Sequence, residues 1–264
     1  MKEYHILSLS GGKDSTALAF FMKEYKPEIF EKIELVFCDT ECELPETYDY
    51  LNKIEVFLNK KITRLKPEKS FEHYMSIYNH LPSIAQRWCT VKLKTKVFRK
   101  YVDKIFKKSG KGIIYLYIGI RADEAKRTEN SKNKDECIKA IYPFVENSLF
   151  KKDIESILEN CGIGIPEYYK WRKRSGCYFC FFQSKNDWLN LYEHHPLLYN
   201  EAMKYEFDIC SSDRKKRFGW NLDMSLEDMI KPENIKKIRE DYIALYNKRK
   251  SKNTFDKDLL IDIM

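Results

Sequence analysis

Residues 4–15 read YHILSLSGGKDS, a short apolar run that ends in a glycine pair and a polar loop. Residues 15–25 then place apolar side chains at the i, i+3, i+4, i+7 spacing of an amphipathic helix. The stretch therefore predicts a strand, a tight loop over residues 10–15 and a helix.

The predicted loop carries groups that bind a phosphate. Gly11 and Gly12 allow backbone N–H groups to turn toward an anion, and the following helix adds the positive end of its dipole. Ser10 and Ser15 offer hydroxyl groups, and Lys13 offers a positive charge. Together these groups predict a phosphate cradle.

Asp14 is unusual beside a phosphate, and it makes sense if a Mg²⁺ ion lies between the two anions. The alternative is an ordinary strand–turn–helix connection with a capping Asp and Ser. Turn chemistry alone does not need Lys, Asp and both serines, so a nucleotide-binding loop is favoured. The spacing is not that of the P-loop, in which Gly-Lys-Ser/Thr follows a longer interval.

Strand and helix signals alternate through the first half of the chain. Strands are predicted over 33–38, 61–65 and 113–120, and helices from Pro45 and over 91–108. This alternation predicts an α/β fold with a doubly wound parallel sheet. The later signals are mostly helical, with helices predicted from Pro196 and over 232–250. We therefore expect a nucleotide-binding α/β domain over 1–150 and a smaller, mostly helical, cysteine-containing region over 151–264.

Composition narrows the class of protein. The 264 residues include 48 Lys plus Arg and 40 Asp plus Glu, a formal net charge of +8, and 43% are hydrophobic. No apolar run approaches the roughly 20 residues of a membrane span, and the first residues do not resemble a signal peptide. The sequence predicts a cytoplasmic protein with no membrane partner, and the positive charge suggests an anionic one. It does not predict an oligomeric state.

The string SGGKDS over 10–15 resembles the PP-loop of the ATP pyrophosphatase superfamily. Further segments resemble, in chain order, the phosphoadenosine phosphosulfate (PAPS) reductase-like family. These segments are FCDT (37–40), PET (45–47), RWCT (87–90), GIRADE (119–124) with Arg127, YP (142–143) and GCYFC (176–180). The resemblance implies an adenine nucleotide alpha hydrolase-like fold that binds ATP or a sulfonucleotide.

The resemblance also implies roles for residues that follow strands. Lys13, Asp14 and Arg121 are the predicted catalytic residues. Carboxyl ends of parallel strands meet at one crevice, so Asp39 and Arg121 are expected to line it together with the loop over 10–15. Arg121 and Arg127 are predicted to bind phosphate oxygens. The alternative for both arginines is a surface ion pair with Asp123 or Glu124.

Three of the eight cysteines carry a site hypothesis. Cys177 and Cys180 form a CxxC pair, and the resemblance adds Cys89. The set is compatible with a 4Fe–4S cluster, with zinc or with free thiols. Cluster-bearing sulfonucleotide reductases have adjacent cysteines at the first position, whereas Cys89 stands alone. Candidates for a fourth ligand are Cys161, His194, His195 and Cys210.

Other cysteines and aromatic residues are open to two interpretations. Cys38 and Cys42 form a CxxxC pair that could carry a persulfide. For Cys38, the simpler interpretation is a buried small residue. The aromatic and basic run over 168–174 either stacks bases and holds phosphates or is a solvated basic face. The four tryptophans are predicted core residues.

The leading functional hypothesis is an ATP-dependent adenylating sulfurtransferase. ATP is split to AMP and pyrophosphate, and sulfur from a donor protein then replaces AMP on a DNA or RNA acceptor. DNA phosphorothioation enzymes of the Dnd and Ssp type are the suspected relatives. The alternatives are a sulfonucleotide reductase and a non-enzymatic nucleotide- or nucleic-acid-binding module with structural zinc. PAPS reductases use a cysteine in a Glu-Cys-Gly-x-His setting, and these 264 residues contain no such motif.

Overall fold

The computed structural model describes residues 1–129, 135–174, 176–210, 219–221 and 223–251. These residues form two compact units. Unit 1 consists of Met1–Glu68 and Lys92–Glu167, and unit 2 consists of Lys69–Val91 and the described part of Tyr168–Met264. The predicted domains 1–150 and 151–264 stay a prediction, and the two units group residues 69–91 and 151–167 differently.

Unit 1 contains a five-stranded sheet in which every neighbouring pair is parallel. The strands are β1 (Lys2–Leu9), β2 (Ile33–Cys38), β3 (Ile62–Leu65), β4 (Gly112–Tyr117) and β5 (Ile138–Ile141). Their order is β3-β2-β1-β4-β5. Leu7 of β1 lies opposite both Leu35 and Tyr117, so β1 is the buried centre of the sheet. The predicted α/β fold with a parallel sheet is confirmed.

Helices account for most of the remaining described residues. In unit 1 they are α1 (Lys13–Tyr25), α2 (Pro27–Lys32), α3 (Pro45–Leu58), α5 (Lys96–Ser109), α6 (Lys126–Glu129), α7 (Pro143–Glu146) and α8 (Lys151–Asn160). In unit 2 they are α4 (Phe71–Tyr78), α9 (Lys185–His194), α10 (Pro196–Cys210), α11 (Leu226–Met229) and α12 (Pro232–Ser251). None of the helices in the described ranges has the length and apolar character that crossing a bilayer requires.

The core of unit 1 lies on both faces of the sheet. On one face, α1, α3 and α8 pack side chains such as Leu18, Leu51 and Ile154 against the sheet. On the other face, Val102 of α5 packs against Ile6 of β1. Helices on both faces explain why β4, with the sequence GIIYLY, is apolar throughout.

Unit 2 is held together by aromatic rings. Phe71 of α4 lies 4.1 Å from Phe179 and 5.0 Å from Trp88, measured between ring centroids. Trp220 lies 5.4 Å from Phe179 and 5.7 Å from Trp188. The prediction that the tryptophans belong to the core is confirmed, because Trp88, Trp171, Trp188 and Trp220 are all buried.

Two predicted elements differ in their bounds. The segment predicted as one helix over 91–108 begins with a π-helical turn, Thr90–Thr95, before α5. The segment predicted as a strand over 113–120 pairs only as far as Tyr117. Residues 118–121 are therefore free to form a loop at the carboxyl edge of the sheet.

The loop after β1 needs glycine at position 11. Gly11 has a φ of +72°, and a Cβ atom there would lie 2.5 Å from Cγ2 of Thr47 in α3. A side chain at this position would therefore force the loop away from α3.

We predict that Gly11→Ala destabilises the protein more than Gly164→Ala. Gly164 has a nearly equal φ of +70°, but nothing lies within 4 Å of a Cβ built there. Backbone strain alone should lower the free energy of unfolding by about 1 kcal/mol at Gly164. The added collision should bring the loss at Gly11 to about 2–4 kcal/mol. Urea denaturation followed by circular dichroism measures both losses, and equal values would contradict the prediction.

Candidate functional site

The central strands β1 and β4 place two loops side by side at the carboxyl edge of the sheet. The chain continues from β1 to β2 on one side and later to β4 on the other, so the strand order reverses between β1 and β4. Ligands of open α/β sheets bind in the crevice at such a switch point. Gly119, after β4, packs tightly against α1, because a Cβ there would lie 2.8 Å from the backbone oxygen of Asp14.

The loop over 10–15 is closed by its two serines. The Ser15 hydroxyl accepts a hydrogen bond from the Ser10 backbone N–H at 3.0 Å, lies 3.0 Å from the Ser10 hydroxyl and donates to the Gly12 carbonyl at 3.2 Å. The Gly12 N–H donates to the Ser10 hydroxyl at 3.3 Å. These contacts fix the turn that delivers Lys13 to the first turn of α1.

A three-residue charge cluster spans the switch point. The Lys13 ammonium lies 3.1 Å from an Asp14 carboxylate oxygen, and Arg121 Nη1 lies 3.1 Å from the same oxygen. The Lys13 and Arg121 side chains are only 8% and 12% exposed. The structure thus brings together the three predicted catalytic residues, although Asp14 and Arg121 are 107 positions apart in sequence.

Arg121 is held by further carboxylates. Its Nε lies 3.1 Å from Asp123, and its Nη2 lies 3.8 Å from Glu124. Burial lowers the pKa of Arg121, but hydrogen bonding to Asp123 and the charges of Asp14 and Glu124 outweigh it and raise that pKa. The hydrogen bond from Arg121 in turn lowers the pKa of Asp123. The guanidinium is therefore a fixed positive charge that faces the loop over 10–15.

Arg127 forms a surface ion pair, which is the alternative to phosphate binding given above. Its side chain is 63% exposed and forms an ion pair with Glu124 at 2.8 Å. The two side chains are three positions apart and form an ordinary surface ion pair. The predicted contact of Arg127 with phosphate remains a prediction.

Asp39 follows β2 and is buried, with 4% of its surface exposed. Its Oδ1 accepts hydrogen bonds from the backbone N–H of Glu41 at 2.9 Å and from the Tyr48 hydroxyl at 2.8 Å. Burial, followed by the hydrogen bond to Asp39, raises the pKa of Tyr48. One oxygen of Asp39 therefore holds its own loop and α3 together, and the predicted place of Asp39 in the nucleotide crevice stays a prediction.

The described side chains do not form a site for the predicted metals. Among them, no group of three or more His, Cys, Asp or Glu side chains has an arrangement that could hold a metal ion. In the switch-point cluster, both oxygens of Asp14 already accept from Lys13 and Arg121. The donor sets as they stand fit neither Mg²⁺ nor zinc nor a 4Fe–4S cluster, so the reaction proposed below takes no step through them.

The predicted metal-site cysteines Cys89, Cys177 and Cys180 all belong to unit 2. The guanidinium of Arg172 donates to the Cys177 carbonyl at 2.6 Å and to the Gly176 carbonyl at 3.2 Å. Arg172 is 1% exposed, and its Nε has no hydrogen-bond partner in the described part of the chain. A buried guanidinium thus fixes the backbone where the CxxC pair begins, a feature that sequence reasoning missed because a basic run is usually solvated.

The candidate fourth ligands lie in different surroundings. The Cys161 thiol is 3.4 Å from the Leu158 carbonyl within unit 1. The His194 ring stacks on Trp171 at 4.8 Å, and the His195 ring lies 5.5 Å from the same indole. The Cys210 side chain lies outside the described residues. No disulfide links the cysteines whose side chains are described.

Three of the seven residues in the aromatic and basic run over 168–174 are interior, so its interpretation as a base-stacking or solvated surface is wrong for those three. Tyr168 is 0% exposed, Trp171 is 7% exposed and Arg172 is 1% exposed. The amide of Asn190 donates to the Trp171 carbonyl at 2.5 Å, which anchors this segment to α9.

Comparison with known proteins identifies the family. A model of the phosphoadenosine phosphosulfate reductase domain matches residues 4–143, which is more than half of the chain. The chain belongs to this PP-loop, PAPS reductase-like family. It is 31% identical over 149 residues to an uncharacterized nin region protein of Escherichia phage lambda, covering 47% of this chain and 50% of that one.

An uncharacterized protein of Methanocaldococcus jannaschii is 26% identical over 266 residues, covering 94% of this chain and 57% of that one. The chain thus spans about half the length of these curated relatives.

Two solved structures are also similar. The PAPS reductase of Candida auris, a phosphate complex, has a TM-score of 0.49 at 15% identity over 68% of this chain and 83% of that one. The U34-tRNA thiolase NcsA of Methanococcus maripaludis, with its 4Fe–4S cluster, has a TM-score of 0.41 at 17% identity over 78% of this chain and 71% of that one.

We predict that the Cys38 thiol is unreactive at neutral pH. Burial raises the pKa of Cys38 to about 11, against a smaller opposite effect of Lys94. At pH 8 the thiolate fraction is then on the order of a hundredfold below that of an ordinary cysteine. Iodoacetamide labelling with peptide mass spectrometry should show slow modification that speeds up about tenfold per pH unit. The same peptide in urea is the control, and equal rates in the native and unfolded protein would contradict the prediction.

Proposed function

We propose that this protein is an enzyme that binds an adenine nucleotide at the loop over 10–15 and uses it to activate an acceptor for sulfur transfer. The supporting observation is the cluster in which Lys13, Asp14 and Arg121 meet at the switch point of the sheet. Two nearly buried cations at this place are suited to an anionic ligand, since their charges act in a poorly screened environment.

The proposed first step is adenylation. An oxygen of the acceptor attacks the α-phosphorus of ATP, and the bond to the β-phosphate oxygen breaks so that pyrophosphate leaves with the electron pair. Backbone N–H groups at Gly11 and Gly12 bind phosphate oxygens, while Lys13 and Arg121 stabilise the negative charge that develops. Phosphate oxygens replace the Asp14 carboxylate as partners of the two cations.

The proposed second step is the replacement of AMP by sulfur. A sulfur nucleophile forms a bond to the activated centre, and AMP leaves with the electron pair of the oxygen that linked it. Cys89, Cys177 and Cys180 are the residues proposed to handle the sulfur, which a donor protein supplies and one of these cysteines carries as a persulfide. After the terminal sulfur has bonded to the acceptor, the thiolate of a second cysteine attacks the sulfur of the carrier cysteine. The S–S bond breaks, the transferred sulfur keeps the electron pair, and the two cysteines are left as a disulfide that an external thiol reduces. A nucleic acid is the proposed acceptor, in agreement with the net charge of +8.

A sulfonucleotide reductase is the second candidate, because the matching family is named for that reaction. In that case the nucleotide is itself the substrate. A thiolate attacks the sulfonate sulfur, and the bond from that sulfur to the phosphate oxygen breaks, so that the remaining nucleotide leaves with the electron pair. Thioredoxin-dependent release of sulfite from PAPS distinguishes this candidate from the first.

We predict that Lys13→Ala and Arg121→Gln each lower ATP–pyrophosphate exchange by about a hundredfold or more, because each removes a charge that stabilises the transition state. Exchange of labelled pyrophosphate in the presence of single-stranded DNA or RNA measures the effect. Arg99→Ala is the control, since Arg99, on α5, pairs with Asp135 and takes no part in the proposed site. Wild-type exchange is expected to persist in that variant.

Two results would count against the proposal. If ATP–pyrophosphate exchange persisted in both Lys13→Ala and Arg121→Gln, the switch-point cluster would have no role in the reaction. Tight ATP binding without turnover, with one zinc ion per chain, would favour the non-enzymatic alternative.

A further inference from the structure

An exposed aromatic ring in unit 2 lies beside two guanidinium groups. The central guanidinium carbons of Arg87 and Arg174 each lie 5.3 Å from the centroid of the Phe182 ring. Phe182 is 37% exposed, both arginines are exposed, and the Phe181 ring lies 4.4 Å from that of Phe182. We refer to Arg87, Arg174, Phe181 and Phe182 as the Phe182 patch.

The Phe182 patch draws together the two segments that carry the three cysteines. Arg87 lies two positions before Cys89, and Arg174 lies three positions before Cys177. Phe182 lies two positions after Cys180. Because the two arginines contact one ring, the backbone near each of the three cysteines borders a single surface.

The arginines of this surface differ from others in the protein. Arg64, Arg99, Arg121, Arg127 and Arg239 each form an ion pair with a carboxylate. Within the described ranges, Arg87 and Arg174 have no carboxylate partner, and Arg172 contacts only backbone carbonyls. The exposed pair therefore remains available for an anion from outside the chain.

The sequence around the Phe182 patch is also free of acidic residues. There is no Asp or Glu between Glu72 and Asp103, and none between Glu167 and Asp187. In a chain with 40 acidic residues, these two gaps place the local excess of positive charge on the cysteine-bearing segments.

We propose that the Phe182 patch binds a single strand of nucleic acid beside the cysteines. An exposed ring gives a base a stacking surface, and guanidinium groups pair with phosphates and extend the stack. A duplex keeps its bases paired and stacked internally, so the ring selects a single strand. An acidic protein partner would pair with the two guanidinium groups but would not require the exposed Phe182 ring.

The Phe182 patch would be the binding site of the nucleic-acid acceptor named in the proposed function. Its role as the acceptor site rests on that proposed function. Strand binding is a separate property, since it requires neither ATP nor pyrophosphate release. The two ideas can therefore fail independently.

The experiment measures fluorescence anisotropy of a labelled 20-nucleotide single strand, DNA and RNA in turn, titrated with the full-length protein without ATP. We expect Arg87→Ala/Arg174→Ala to weaken binding about tenfold or more and to reduce the salt slope by about 1.4, for two phosphate contacts. Phe182→Leu keeps the charge, and it should weaken binding about five- to a hundredfold through lost stacking.

The matched control is Arg99→Ala/Lys100→Ala, which also removes two positive charges. These side chains pair with Asp135 and Glu68. This control should change the dissociation constant by less than about twofold, because each of these two charges is already paired with a carboxylate of the protein. Circular dichroism and thermal melting verify that each variant is folded.

Several outcomes would overturn the proposal. These are no binding by the wild-type protein, equal losses in the two double variants, and a duplex bound as tightly as the single strand. Competition by polyglutamate as strong as that by unlabelled strand would instead indicate an acidic protein partner. Patch-dependent strand binding without any pyrophosphate exchange would leave this proposal standing and refute the proposed function.

Discussion

The ion pairs between Arg121 and Asp14 hold the carboxyl edge of the sheet in the arrangement on which the proposed chemistry depends. They join the loop after β4 to the start of the helix after β1, across a separation of 107 residues. A nearly buried guanidinium is tolerated there because Asp14, Asp123 and Glu124 surround it. The same carboxylates keep the cation in place before any ligand arrives, so a phosphate meets a charge that is already oriented.

Unit 2 also depends on contacts between distant segments of the chain, which aromatic rings make there. Its cysteine-bearing segments are far apart in the chain and are joined by rings, through the contacts of Phe71 with Trp88 and Phe179. Arg172 then fixes the backbone of the CxxC pair from within. Buried arginine and aromatic packing together form the interior of unit 2, and Arg87 and Arg174, which have no carboxylate partner among the described residues, lie on its surface. Within unit 2, burial distinguishes Arg172, which holds backbone carbonyls, from the exposed Arg87 and Arg174.

Local sequence pattern predicted the parts of the fold that depend on local forces. The apolar runs predicted β1 to β4, and the glycines and serines over 10–15 predicted the turn between β1 and α1. Short elements were missed, since β5 and α4 span only 4 and 8 residues and carry weak periodicity. Burial of Tyr168 and Arg172 was missed as well, because it depends on tertiary contacts that a linear basic run does not reveal. For the same reason, no spacing rule could pair Arg87 with Phe182.

The makeup of unit 2 has a consequence for synthesis on the ribosome. Lys69–Val91 is translated long before Tyr168–Met264, the segment with which it forms one compact unit. Until Phe179 and Trp220 emerge, the apolar side chains of Phe71 and Trp88 lack their aromatic partners, while the sheet from β1 to β5 is already complete. During synthesis, the segment Lys69–Val91 therefore exposes apolar side chains after the strands of unit 1 have been made. Such a segment is a binding site for a chaperone.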